Sequence, residues 1–274
     1  MQEKVLSSKK NGMAMMILFI LLYAAAAGLT AIGSIFFLVP TMVIGIIWLS
    51  LGWIPFLGLR VLKPQEALVL TLFGKYVGTL KDDGFYWVNP FCTAVNPAAK
   101  TKLNQSGDVD GGAAAKSVLT LATGTTASAN STYVNKKISL KIMTLNNNRQ
   151  KINDCLGNPV EIGIAVMWRV TDTAKAVFNV DNYKEYLSLQ CDSALRNIVR
   201  IYPYDVAPNV DTTGDGVADE GSLRGSSEIV AGRIRDEIQQ KVAEAGLEII
   251  EARITYLAYA PEIAAVMLQR QQAS

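Results

Sequence analysis

Histidine is absent from the chain, and its three cysteines, Cys92, Cys155 and Cys191, stand far apart in no C-x-x-C pattern. Zinc sites built on His or paired Cys are therefore excluded, and the commonest general base of enzyme chemistry is missing. There is no G-x-S-x-G elbow, Walker A loop or G-x-G-x-x-G fingerprint, so hydrolase, P-loop and dinucleotide chemistry have no motif to rest on. Paired carboxylates or a Ser–Lys dyad stay open as catalytic groups but gain no positive support. An odd number of scattered thiols fits a reducing compartment, where a buried Cys acts as a small apolar residue. The 26 basic and 24 acidic residues leave a net charge of only +2, with no broad basic face for nucleic acid.

Charged residues make up 18% of the sequence, yet none falls between Gly12 and Leu59. A membrane helix needs about 20 apolar residues at a rise of about 1.5 Å each, so a run of about 48 is long enough for two crossings and too long for one. We read spans at Met13–Ala31 and Ile35–Trp53, turning near Gly33-Ser34 or Pro40-Thr41. Such a hairpin returns the chain to its starting side. Lys4, Lys9 and Lys10 precede the spans and Arg60 and Lys63 follow them, which puts both flanks on the cytoplasmic side of the cell membrane, with Trp48 and Trp53 toward that interface. A cleaved signal peptide with its site near Ala24–Ala27 fits less well, because the apolar run continues far beyond those alanines. A buried helix of a soluble core is seldom charge-free for so long.

About 210 residues follow, enough for one or two domains with their own core. Glu66–Phe73 alternates with Leu68, Leu70 and Leu72 on one face, a half-buried strand, and Gly74-Lys75 turns it into a second strand at Val77–Leu80. Phe85, Trp87 and Phe91 are read as core, the other reading being that they rest on the lipid interface. Residues Leu103–Asn135, rich in Gly, Ala, Ser, Thr and Asn, form an inserted loop that could hold one short strand at Lys116–Leu121. Ile138–Leu145 resumes the strand pattern with Ile138, Leu140 and Ile142 on one face, and Lys151–Cys155 continues it. Val160, Ile162, Ile164, Val166, Trp168 and Val170 then alternate along the strongest strand of the chain, after a Gly157-Asn158-Pro159 turn.

Asp172 is expected to cap a short helix over Thr173–Phe178, and Asp181 a longer one over Asn182–Ile201. Arg196 and Arg200 lie off the apolar stripe of the longer helix; they could meet an anionic partner, but read best as a solvated face. A further helix opens at Ser226 or Ser227 and stops at Gly246, Leu247–Leu257 is a strand, and Pro261 starts a last helix over Glu262–Gln272. Between these helices, Asp211–Ser222 has some features of a calcium loop, with Asp211, Asp215 and Asp219 as the ligands it would offer. Its third position is Thr213 and its twelfth Ser222, which cannot clamp a cation with two oxygens, so the stretch reads better as an acidic turn before a helix.

The motifs Phe73-Gly74-Lys75-Tyr76, Gly84-Phe85-Tyr86-Trp87-Val88-Asn89-Pro90-Phe91, Gly157-Asn158-Pro159-Val160-Glu161-Ile162, Trp168-Arg169-Val170, Ala194-Leu195-Arg196-Asn197-Ile198, Ala258-Tyr259-Ala260-Pro261-Glu262-Ile263-Ala264 and Gln269-Arg270-Gln271-Gln272-Ala273 follow one another behind the apolar stretch. In this order the chain resembles the SPFH or band 7 family (stomatin, prohibitin, flotillin, HflK/C) over about Val61–Ser274, apart from the inserted loops. The resemblance implies an α+β architecture: a transmembrane helical hairpin, then an SPFH domain of antiparallel strands packed with helices. On that basis residues 1–12 are a cytosolic basic segment, 13–59 the hairpin, 61–260 the SPFH domain with inserted loops at 103–135 and 205–221, and 261–274 the start of a C-terminal helix.

The same resemblance implies a scaffold without enzymatic activity or cofactor, whose partners are the lipid bilayer, further copies of the chain, and membrane proteins such as proteases. Relatives close into rings through long helices beyond the point matching Pro261–Gln272. The helical stripe begun by Ile263, Val266 and Met267 is short here, and a helix under about 12 residues is marginal without packing partners, so weak lateral association at most is expected, with closed rings only if the natural chain continues beyond Ser274. The other function class consistent with the residues is a membrane-tethered calcium-responsive sensor or enzyme using the acidic 211–222 loop.

Overall fold

In the computed structural model the charge-free stretch forms two helices, α1 (Gly12–Ile35) and α2 (Val39–Leu51), with a 3-10 turn at Ile54–Gly58. Described are residues 2–6, 11–36, 39–101, 103, 135–205 and 221–264. The helices run antiparallel: a Cβ on Gly33 would stand 2.8 Å from the Met42 nitrogen, one on Gly45 2.4 Å from Thr30, and one on Gly52 3.2 Å from the Tyr23 ring. The Tyr23 hydroxyl donates to the Leu49 carbonyl at 2.8 Å. Only Gly12, Phe19, Ala26 and Gly33 of α1 are buried, at seven-residue spacing. Small residues thus let the backbones approach, a pattern typical of helices that pack in lipid. α1 runs through Gly33-Ser34 to Ile35 and α2 begins at Val39, with Pro40 in its first turn, where a proline costs no hydrogen bond.

The chain divides into two units, residues 2–96 with 136–139 and residues 97–135 with 140–274. In the first, β1 (Leu59–Leu62) pairs antiparallel with β4 (Gly84–Trp87). β2 (Glu66–Leu72) lies between β3 (Lys75–Leu80) and β5 (Cys92–Ala94), and its first residues pair with β6 (Ile138–Ser139), all antiparallel. Leu62, Leu68, Leu70, Leu80, Tyr86 and Cys92 form its core. The expectation that β2 is half-buried is corrected, since Ala67 to Thr71 are buried on both faces. The unbroken run Ala67-Leu68-Val69-Leu70 is the sign of a strand covered on two sides.

The second unit is built on β9 (Pro159–Val170), which pairs with β10 (Leu247–Tyr259) on one side and with β7 (Met143–Asn146) and β8 (Gln150–Asn153) on the other, all antiparallel. Its even-numbered apolar residues from Val160 to Val170 are all buried, as their alternation predicts. Helices α3 (Thr173–Phe178), α4 (Tyr183–Val199) and α5 (Ser227–Val242) complete the unit. The architecture is α+β: a pair of apolar helices, then antiparallel sheets packed with helices.

Several boundaries differ from expectation. Ile138–Leu145 is two strands rather than one, with Ile142 exposed and Met143 and Leu145 buried. Burial at even positions gives way to burial at odd ones, which a continuous strand cannot satisfy. The cap of α4 is Asn182, not Asp181: the Asn182 side-chain oxygen accepts from the Lys184 and Glu185 amides at 3.2 and 3.4 Å. β10 continues to Tyr259, past the expected Leu257. Residues 261–264 are helical, as expected from Pro261. The suggested strand at Lys116–Leu121 and the helix beyond residue 264 lie outside the described residues.

Candidate functional site

Large apolar side chains of the helix pair point outward. Leu21 is 62% exposed, Ile35 70% and Ile44 61%, while Gly33 and Gly45 lie at the contact between the helices. Both helices are long and apolar enough to cross a membrane, the second counted with its 3-10 extension. A core helix of a soluble protein buries such residues; helices that leave them outside are suited to a lipid surround.

The junction between this pair and β1–β4 is tightly built. The Val88 amide donates to the Gly58 carbonyl at 2.9 Å, and the Trp87 indole donates to the Pro55 carbonyl at 3.0 Å. The Phe19 ring of α1 meets Phe56 at 5.5 Å and Trp87 at 5.9 Å between centroids. A Cβ on Gly58 would come within 2.1 Å of the Val88 oxygen, and one on Gly12 within 2.7 Å of the Phe85 backbone, so glycine at both places is what admits the contact. The reading of Phe85, Trp87 and Phe91 as core needs correction: Tyr86 is the buried member, Phe85 and Trp87 are half-buried and Phe91 is exposed. β4 is short and sided toward the helices, so alternation along it puts only Tyr86 into the core.

One contact was not foreseen from sequence. The segment before α1 lies along β3, with the Leu6 amide donating to the Thr79 carbonyl at 2.8 Å and the Thr79 amide donating to the Lys4 carbonyl at 2.9 Å. Lys81 and Glu3 pair at 2.6 Å beside it. The chain on either side of the helix pair is thereby tied into one unit. A three-residue bridge to a strand more than 70 residues away leaves no periodic signal.

Nearby, Lys137 pairs with Glu66 at 2.8 Å. Burial pushes the Glu66 carboxyl up, but the Lys137 hydrogen bond and charge, with the Lys63 amide, outweigh it and hold the group below its ordinary value. Burial raises the Cys92 thiol against the opposing charge of Arg60. Burial, with Asp192 adding to it, pushes the Cys191 thiol up to about 12. Both are therefore poor nucleophiles at neutral pH. Cys155 is exposed.

Arg196 on α4 and Arg200, which follows its last residue, are exposed and, with Lys151, Ile152, Asn153 and Asp154, line an open cleft of about 470 Å³. The Asp154 carboxylate is committed to structure, accepting from the Leu156, Asn158 and Tyr204 amides at 2.9, 2.7 and 3.2 Å. Arg196 donates to the Gln150 side chain at 3.4 Å. Asp211, Asp215 and Asp219 lie outside the described residues. Ser222, at the last position of that loop, is buried, and its hydroxyl accepts from the Gly225 amide at 3.0 Å. Among the described residues no group of His, Cys, Asp and Glu is arranged to hold a metal ion.

The model of the SPFH domain / Band 7 family matches residues 60–274. No curated protein matches the chain.

Proposed function

Because the chain belongs to the SPFH domain / Band 7 family, we propose that it is a membrane-anchored scaffold that self-associates, organises the membrane patch around it and regulates partner membrane proteins such as proteases. Members of this family are generally non-enzymatic scaffolds, and the reading assigns the chain no reaction of its own. The observation that carries the anchor is the inside-out helix pair, with glycine and alanine at the contact and Ile, Leu and Met outside. The pairing of residues 4–6 with β3 supports a hairpin whose two ends stay on one side. Basic residues on both flanks support the cytoplasm as that side.

An anchored domain diffuses in two dimensions, so weak contacts between neighbouring copies act at a raised effective concentration. Self-association then needs no single tight interface. Crosslinking of the chain in proteoliposomes at increasing protein-to-lipid ratio tests this, with ladders of higher species expected to grow with the ratio. A chain that stays monomeric at every ratio would remove the scaffold reading, and release by alkaline carbonate would remove the anchor itself.

A further inference from the structure

The turn between β2 and β3 is Phe73-Gly74, with φ of +48° and +82°, closing on the Leu72–Lys75 pair. A two-residue hairpin turn with both φ positive favours Asn-Gly, and a bulky aromatic in the left-handed region is uncommon. Phe73 is nonetheless there, 87% exposed. Its ring stacks on Phe91, itself 60% exposed, at 6.4 Å and 26°. Phe91 is held out by its own turn, in which its amide donates to the Asn89 side chain at 3.0 Å and the Cys92 amide to the Asn89 carbonyl at 2.9 Å. Two aromatic rings are thus presented together where neither the turn nor the core gains from them.

The strand directions say what they face. β1 leaves the helix pair at Gly58 and β4 returns to it, ending at Trp87 against Phe19, about 10 Å along α1 from Gly12. From Val88, bonded to Gly58, the chain turns through Phe91 and doubles back as β5, whose Cys92 pairs with Leu72 at the end of β2. Phe73 and Phe91 therefore sit at the end of the strands that abuts the helix pair. Lys75 is exposed beside them, placed to reach headgroup phosphates while the rings go deeper.

We propose that Phe73 and Phe91 form an aromatic wedge that inserts into the lipid interface beside the helix pair, a lipid contact separate from the two spans. Aromatic residues favour this headgroup–acyl boundary. The wedge fixes the tilt of the first unit, residues 2–96 with 136–139, against the membrane, so that unit is seated on the bilayer rather than swinging on the hairpin. The inference rests on the membrane reading of α1 and α2.

The test uses the full chain with Cys155→Ser, in which Cys92 and Cys191 are buried. Phe73→Cys or Ile44→Cys is added, labelled with nitrobenzoxadiazole and reconstituted into phosphatidylcholine–phosphatidylglycerol vesicles. The Ile44 label reports the anchor: quenching by acyl-chain spin labels is expected. The Phe73 label should be blue-shifted and quenched most strongly by a spin label placed high on the acyl chain. An Ile44 label quenched from the lipid with a Phe73 label quenched only by aqueous iodide overturns the wedge and leaves the anchor standing. A Phe73 label reached by neither quencher means that protein, from a partner or a second copy, covers the tip, which also overturns it. An Ile44 label untouched by lipid quenchers removes the anchor and the wedge together.

Discussion

Trp168 is fully buried on β9, with the Tyr183 ring 6.2 Å away and its indole N–H lacking a partner among the described residues. Trp168→Ala should cost about 3–5 kcal/mol, seen as a lowered thermal midpoint. Trp168→Phe should cost clearly less, because it also removes an unsatisfied buried donor. The caps give smaller effects: Asp172→Ala and Asn182→Ala should each lose about 1 kcal/mol, whereas Asp181→Ala should be nearly silent. Asp172 was legible because it is the strongest cap former in Thr171-Asp172-Thr173. At Asp181-Asn182 two adjacent cap formers compete, and the choice rests on the extended backbone of Asn182, at φ −146°, which no residue type announces. The Glu66–Lys137 pair sets a pH dependence. The folded carboxyl lies below its ordinary value near 4.5, so the native state binds fewer protons there than the unfolded chain. Its stabilisation is complete above that value and is lost as pH falls through the depressed one. Melts of wild type and Glu66→Gln should therefore differ most near neutrality and converge in acid.

At the scale of elements, the helix pair and its junction depend on residues without side chains. Gly58→Val must push Val88 or Trp87 aside, and overpacking of this kind costs about 1–3 kcal/mol, here toward the upper end. Limited proteolysis should show β1–β4 loosened from the helices while the β9-centred unit stays resistant. By contrast, replacing residues 104–134 by a short Gly-Ser turn should leave the melting midpoint nearly unchanged, since each doubling of loop length costs only about 0.6 kcal/mol. Thr101 should be kept, because its carbonyl and hydroxyl accept from the Lys184 ammonium and the Asn182 amide at 3.0 and 2.6 Å. The two apolar helices and β9 could be read from sequence because each carries one uninterrupted period. Ile138–Leu145 misled because two strands of opposite phase abut there, and residues 4–6 were missed because their partner is far along the chain.

For the molecule as a whole, family membership was legible from the order of short motifs, each weak alone, behind a charge-free stretch. What makes the membrane end specific was less visible. The exposure of Phe73 and Phe91 depends on two turns, and the same residues in a strand would have been core. We propose that one hairpin holds the segment before α1 and the chain after it on the cytoplasmic side. Gln2→Cys and Lys100→Cys, each in a Cys155→Ser background, place a thiol before and after the helix pair, at residues that are exposed. Treated with a membrane-impermeant maleimide, both should stay unlabelled in intact cells and label fully once the membrane is permeabilised. Labelling of either position in intact cells would contradict the hairpin and its orientation.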